Sequence, residues 1–114
     1  MQIVITGFVF VCKEIKEGAM SGEMMDKVGY KVIVSGLVQG VGFRYFTAKE
    51  ANKLNVYGHA KNLSDGSVEV LMFGQKEKLL ILLKWLEIGP KTSTVDNIKV
   101  SETVYLHKND FLCF

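Results

Sequence analysis

Proline, cysteine and histidine are all scarce in this chain of 114 residues, which has one Pro, two Cys and two His. Cys12 and Cys113 lack the spacing of a metal-ligand pair. His59 and His107 are far apart, with no acidic residue at helical spacing, so the sequence gives no support to a metal site. A disulfide between the two cysteines stays open, although two ordinary thiols fit better in a chain without a secretory signal.

Excess charge and long apolar segments are absent as well. The formal net charge of +2 is too small to argue for a nucleic acid or an anionic membrane as a partner. The apolar run at residues 1–12 is shorter than the roughly 20 residues that a membrane-spanning helix needs. It also lacks the basic start and the cleavage site of a signal peptide. We therefore expect a cytoplasmic protein with no membrane contact and no nucleic acid partner.

The most informative stretch of the chain is rich in glycine. Residues 36–44 read GLVQGVGFR, follow a β-prone run at residues 30–34 and precede a segment with helical spacing. Three glycines allow a tight turn, and a turn between a strand and a helix can aim several N–H groups at one point. The helix dipole and the guanidinium of Arg44 would add positive potential there. We interpret this loop as a cradle for a phosphate-sized anion.

Well-known kinds of phosphate site do not fit this loop. A nucleotide-binding P-loop requires Lys and then Ser or Thr after its last glycine, where this chain has Phe43 and Arg44. A dinucleotide-binding loop requires a glycine in place of Tyr45. A phosphocysteine enzyme would have a cysteine in place of Val38, so the loop carries no nucleophile and no magnesium ligand. Taken alone, the loop would also fit a plain glycine-rich turn with a surface arginine.

Two stretches together resemble the signatures of the acylphosphatase family. Residues 36–44 match the first signature, Gly-x-Val-Gln-Gly-Val-x-Phe-Arg, in full. Residues 58–74 resemble the second at the correct spacing, with one departure: the family usually has an aromatic residue where this chain has His59. The resemblance divides the chain into an N-terminal extension, residues 1–29, and an acylphosphatase-like domain, residues 30–114.

The order of secondary-structure elements follows from periodicity and turn signals. Strands are predicted at residues 30–37, 56–62, 67–73, 94–101 and 110–114, and helices at residues 45–54 and 76–88. Asn55 is expected to end the first helix in a left-handed conformation, and Gly89 followed by proline ends the second. This split βαβ order predicts an α+β ferredoxin-like sandwich (βαββαβ), with two helices on one face of an antiparallel sheet. The family resemblance implies the same fold, which would bring Asn62 near Arg44.

The resemblance also implies roles for single residues. Arg44 would bind the phosphoryl group, and Asn62 would position the catalytic water. The phosphate-binding loop would consist of Gln39, Gly40, Val41, Gly42, Phe43 and Arg44. The implied reaction is hydrolysis of the carboxyl–phosphate bond of an acyl phosphate by direct attack of water, without a metal, a cofactor or a phosphoenzyme. Inorganic phosphate would be both product and competitive inhibitor, and we expect a monomer.

Two other functions remain as alternatives. One is a non-catalytic module that binds phosphate or carbamoyl phosphate, as in larger hydrogenase-maturation proteins, although this chain has no zinc-finger cysteines. The other is a single-stranded RNA binder, although the aromatic RNA-binding motif of such sheets is missing. For His59 and Lys61 the sequence predicts only solvated positions at a strand edge, and for Trp85 a place in the core. Residues 1–29 could supply an edge strand, contact a partner or reflect an upstream translation start.

Overall fold

A computed structural model of the chain describes residues 2–6 and 27–114, with side chains from residue 27 onward. The strands are β1 (Gln2–Thr6), β2 (Lys27–Leu37), β3 (Tyr57–Asn62), β4 (Val68–Gln75), β5 (Thr94–Thr103) and β6 (Phe111–Cys113). The helices in this part of the chain are α1 (Phe43–Lys53) and α2 (Lys76–Ile88). Of the apolar run at residues 1–12, only Gln2–Thr6 is described, as strand β1, and Cys12 lies outside the described residues.

All six strands form one sheet in the order β1-β5-β2-β4-β3-β6. The four central strands, β5, β2, β4 and β3, are antiparallel neighbours, which is the predicted ferredoxin-like arrangement. The two outer strands instead pair in parallel, β1 with β5 and β6 with β3. The sheet is therefore mixed rather than purely antiparallel, because a long stretch of chain and not a hairpin separates each outer strand from its neighbour.

One face of this sheet carries the hydrophobic core. Alternate residues of β2 and β4 are completely buried on that face, namely Val32 and Val34 in β2 and Val68, Val70 and Met72 in β4. The helices cover them with residues spaced three or four apart, namely Phe43, Thr47 and Ala51 from α1 and Leu79, Leu82 and Leu86 from α2. Trp85 packs against the same core, as predicted.

Helix α2 and the cap of α1 agree with the sequence prediction. Helix α2 spans Lys76–Ile88 as predicted and ends at Gly89, which has a φ of 73°. Asn55 has a φ of 58° just after α1, the left-handed conformation that was expected there. In the described part of the chain, no helix is long and apolar enough to cross a membrane.

One strand and one helix begin at other residues than predicted. Strand β2 begins at Lys27 rather than at residue 30, because its ladder with β4 continues to the pair of Lys27 and Gln75. Helix α1 begins at Phe43 rather than at residue 45, because Gly42 takes a left-handed conformation as its N-cap. The glycine-rich loop is therefore shorter than predicted, and Arg44 lies within the first turn of α1.

Candidate active site

The glycine-rich stretch forms the connection between the end of β2 and the start of α1. Gly40 and Gly42 have φ angles of 76° and 81°, a left-handed conformation that residues with a Cβ rarely adopt. A Cβ added at Gly40 would meet nothing within 4 Å, so backbone conformation rather than space explains the glycine there. Thr92 fixes the connection by donating its hydroxyl to the carbonyl oxygen of Val41 at 2.7 Å.

The backbone N–H groups of this loop are available to an anion. Gly42 has no side chain that could cap α1, and the first turn of the helix has no acidic residue. Counting only partners within residues 27–114, the N–H groups of residues 39–43 donate no hydrogen bond. Successive N–H groups around a left-handed residue form a concave set of donors, and the start of the helix adds its dipole. The loop therefore suits a phosphate-sized anion.

Gln39 ties the loop to the turn between β3 and β4. Its Nε2 donates to the carbonyl oxygen of Leu63 at 2.7 Å and to that of Ser67 at 2.9 Å. Both N–H groups of the side-chain amide are used in these bonds. Of the predicted phosphate-binding residues, Gln39 can therefore offer an anion its backbone N–H but not its side chain.

The turn that receives Gln39 is closed by its own polar groups. The N–H of Leu63 donates to the carbonyl oxygen of Ser67 at 2.9 Å. The carboxylate of Asp65 accepts both the hydroxyl and the N–H of Ser67, and these hydrogen bonds hold the pKa of Asp65 below its ordinary value. Because the folded-state pKa is lowered, this contribution to the turn is present at neutral pH and is lost as the pH falls through that pKa.

We expect Gln39→Met to lower the free energy of unfolding by about 1–3 kcal/mol, because two partly buried carbonyl groups would each lose a donor. Urea denaturation measures this change. Gln75→Met is the matched control, because Gln75 is exposed and its side chain makes no capping hydrogen bond at α2. Equal stability of the two variants would contradict a role of Gln39 in anchoring the loop.

Arg44 and Asn62 meet at a single backbone oxygen. Nη1 of Arg44 donates to the carbonyl oxygen of Phe114 at 2.6 Å. The same oxygen accepts the backbone N–H of Asn62 at 3.2 Å. The two residues are thus close together, as the fold led us to expect. Among the described residues, the other N–H groups of Arg44 have no hydrogen-bond partner, so they remain available to an anion.

The side chain of Asn62 presents a buried acceptor in this part of the fold. Its Oδ1 is buried and has no hydrogen-bond partner among the residues that the structure describes. Leaving such an atom unsatisfied costs about 1–3 kcal/mol. A side-chain amide can both accept and donate hydrogen bonds to a water, which is the role that the family resemblance implies for Asn62.

Two residues near the site are not foreseen by the sequence. Phe114 contributes a backbone carbonyl 70 residues away from Arg44, which no side-chain pattern signals. The prediction that His59 is solvated at a strand edge is wrong, since β3 lies between β4 and β6. His59 Nε2 is 2.8 Å from Oε2 of Glu69, and only 21% of its side chain is exposed. Its acidic partner lies on the neighbouring strand, where helical spacing could not reveal it.

Other candidate ligands do not gather at this site. Within the described residues, no group of three or more His, Cys, Asp or Glu side chains could hold a metal ion. Cys113 is exposed, and its thiol lies 3.5 Å from the carbonyl oxygen of Arg44. The polar groups of the site are therefore the guanidinium of Arg44, the amide of Asn62 and backbone groups.

Comparison with known proteins identifies relatives of similar sequence and fold. A family model described as Acylphosphatase matches residues 30–112. An acylphosphatase of Psychromonas ingrahamii is 59% identical over 88 residues, which are 77% of this chain and 98% of that protein. The structure of an acylphosphatase from Coxiella burnetii has a TM-score of 0.77 at 37% identity, covering 83% of this chain and 100% of the other.

A larger protein contains a similar domain. Full-length HypF, in a phosphate- and nucleotide-bound crystal structure, has a TM-score of 0.72 at 27% identity, and the match covers 77% of this chain but 12% of HypF. The smaller relatives, by contrast, are matched over nearly their whole length. The sequence signatures, the sheet order and these matches agree, and the chain belongs to the acylphosphatase family.

Proposed function

We propose that this protein hydrolyses the carboxyl–phosphate bond of acyl phosphates to a carboxylate and inorganic phosphate. The observation that carries the proposal is the carbonyl oxygen of Phe114, which joins Arg44 to Asn62 beside a loop of N–H donors. A carboxylate leaves without help from a general acid. The protein must therefore hold the phosphoryl group, stabilise its charge and aim a water in line, which is positioning and electrostatics.

Arg44 and the loop bind the phosphoryl group in this mechanism. The backbone N–H groups of residues 39–43 and the start of α1 surround the phosphoryl oxygens. The guanidinium of Arg44 keeps one nitrogen on the carbonyl oxygen of Phe114, at 2.6 Å, and turns its remaining donors to the anion. All of these donors are positive or neutral N–H groups that stabilise the phosphoryl charge directly, and the proposed mechanism uses no metal and no cofactor.

Asn62 positions the attacking water. Its side-chain amide can accept and donate hydrogen bonds to that water, and the lone pair of the water then faces the phosphorus. Direct attack forms the new phosphorus–oxygen bond as the carboxylate leaves. No side chain of the loop acts as a nucleophile, so no phosphoenzyme forms.

Hydrolysis of acetyl phosphate and benzoyl phosphate is expected to continue at an unchanged rate in excess EDTA. Inorganic phosphate is expected to inhibit competitively, because it occupies the same donors as the phosphoryl group of the substrate. Steady-state kinetics with and without chelator and phosphate measure both effects. Loss of activity that added magnesium restores would contradict the metal-free mechanism, and non-competitive inhibition would contradict the shared site.

The alternative function is a module that binds phosphate or carbamoyl phosphate without hydrolysing it. The similarity to HypF motivates this alternative, but the match covers only 12% of that protein. Phosphate binding measured by calorimetry, together with no hydrolysis of any acyl phosphate, would favour the module.

We also propose that the enzyme is a cytoplasmic monomer, since one chain supplies Arg44, Asn62 and the loop. Light scattering measures the mass of the particle in solution and so tests the monomer.

A further inference from the structure

We propose that His59 is a positioning residue for this hydrolysis and acts on Arg44 through Phe114. The expected effect of His59 on turnover rests on the proposed function. The expected effect of His59 on the affinity for inorganic phosphate can be measured independently of turnover. The chain of contacts runs from Glu69 to His59, from His59 to Phe114, and from Phe114 to Arg44.

Glu69 fixes the imidazole of His59. The register of β3 and β4 pairs Lys61 with Glu69 and His59 with Leu71, so His59 and Glu69 are diagonal neighbours on one face of the sheet. Nε2 of His59 and Oε2 of Glu69 are 2.8 Å apart, and only 21% and 19% of the two side chains are exposed. A hydrogen bond to a carboxylate at Nε2 sets both the tautomer and the orientation of the ring.

The fixed imidazole packs against the ring of Phe114. The ring centroids are 5.5 Å apart with an interplanar angle of 72°, an edge-to-face geometry that aromatic pairs favour. Phe114 follows β6 directly and is 57% exposed. Water therefore borders much of the Phe114 side chain, and the contact with His59 restrains the ring on the side that faces the protein.

Phe114 transmits this restraint to the catalytic arginine. Its N–H donates to the carbonyl oxygen of Ala60 at 2.8 Å, and its own carbonyl oxygen accepts Nη1 of Arg44 at 2.6 Å. Holding the ring therefore limits the movement of the carbonyl that anchors the guanidinium. An arginine side chain has many rotamers, so an anchor at one nitrogen pre-organises the other donors for phosphate.

Kinetics and calorimetry on matched variants test this role. His59→Ala is expected to raise both KM for acetyl phosphate and Kd for inorganic phosphate by about three- to tenfold, the scale of one lost aromatic contact. We expect kcat to fall by no more than about the same factor, because Arg44 also stabilises the transition state whereas Asn62 is intact. His59→Phe should restore KM and Kd, because the edge-to-face contact needs only an aromatic ring. Tyr57→Ala is the control, since Tyr57 is on the same strand and the same face.

A double-mutant cycle separates positioning from general stability. Glu69→Ala should raise Kd for phosphate in the parent but have no effect in the His59→Phe background, because Glu69 acts only through the imidazole. Equal effects in the two backgrounds, or a Tyr57→Ala variant as impaired as His59→Ala, would overturn the proposal. If the parent binds phosphate without hydrolysing acyl phosphates, the proposed function fails while the Kd comparison still tests His59.

Discussion

Arg44→Ala is expected to lower kcat/KM for acetyl phosphate by about a thousandfold, the lower end of what an arginine on a transferring phosphoryl group contributes. In the proposed mechanism the guanidinium binds phosphate in the ground state and stabilises more charge in the transition state, so affinity and turnover should both fall. Calorimetry with inorganic phosphate and steady-state hydrolysis measure the two losses separately. Circular dichroism confirms that the variant is folded.

Two further variants sharpen this prediction. Arg44→Lys keeps the charge but not the planar pair of donors, so it cannot hold the Phe114 carbonyl and the phosphate in the same way. We expect it to recover only a small part of the activity. Lys49→Ala removes an exposed positive charge from the same helix and should leave the kinetics unchanged. If Arg44→Ala binds phosphate as tightly as the parent, Arg44 is not the phosphate ligand.

Asn62→Ala is expected to lower kcat for acetyl phosphate about a hundredfold while the affinity for inorganic phosphate stays within a few-fold of the parent. Losing one well-placed polar group in this class of reaction typically raises the barrier by about 3 kcal/mol. The backbone N–H of Asn62 still donates to the Phe114 carbonyl in this variant, so the anchor of Arg44 is preserved. Steady-state kinetics alongside calorimetry test this separation of turnover from affinity.

The stability of the same variant gives an independent check. The buried Oδ1 of Asn62 has no partner among residues 27–114, so its removal should leave the free energy of unfolding unchanged or raise it. A residue kept at a cost in stability is typical of a site selected for activity. Asn52→Ala, at an exposed position in α1, is the control. An Asn62→Ala variant that is folded and turns over at the parent rate would refute the water-positioning role.

Local patterns in the sequence predict much of this fold. The residues that bound α2, the left-handed Asn55 and the antiparallel pairing of β3 with β4 depend on a few neighbouring residues each, and all three are confirmed. The parallel pairing of β1 with β5 and of β6 with β3, at the two edges of the sheet, is not predictable in this way. It depends on which distant strand leaves an edge open, and short apolar runs carry no information about their partner.

The same distinction applies to the site. Arg44 and Asn62 are identifiable because each lies in a contiguous signature, and the structure brings both to the carbonyl of Phe114. Their roles remain proposals that the two substitutions above test. The side-chain role of Gln39 and the pair of His59 with Glu69 escape the sequence because their partners lie on other elements. Such contacts exist only after the sheet has formed.

The central position of β2 has a consequence for how fast this protein folds. Strand β2 pairs with β5 along nearly its whole length, although both helices and the β3–β4 hairpin lie between them in the chain. Pairs so distant in sequence close a long loop before they gain any contact energy, and domains rich in them fold on the order of milliseconds to seconds rather than microseconds. The anion-binding loop begins where β2 ends, and Thr92, just before β5, fixes it. We therefore expect this loop to become fixed only after β2 and β5 have paired.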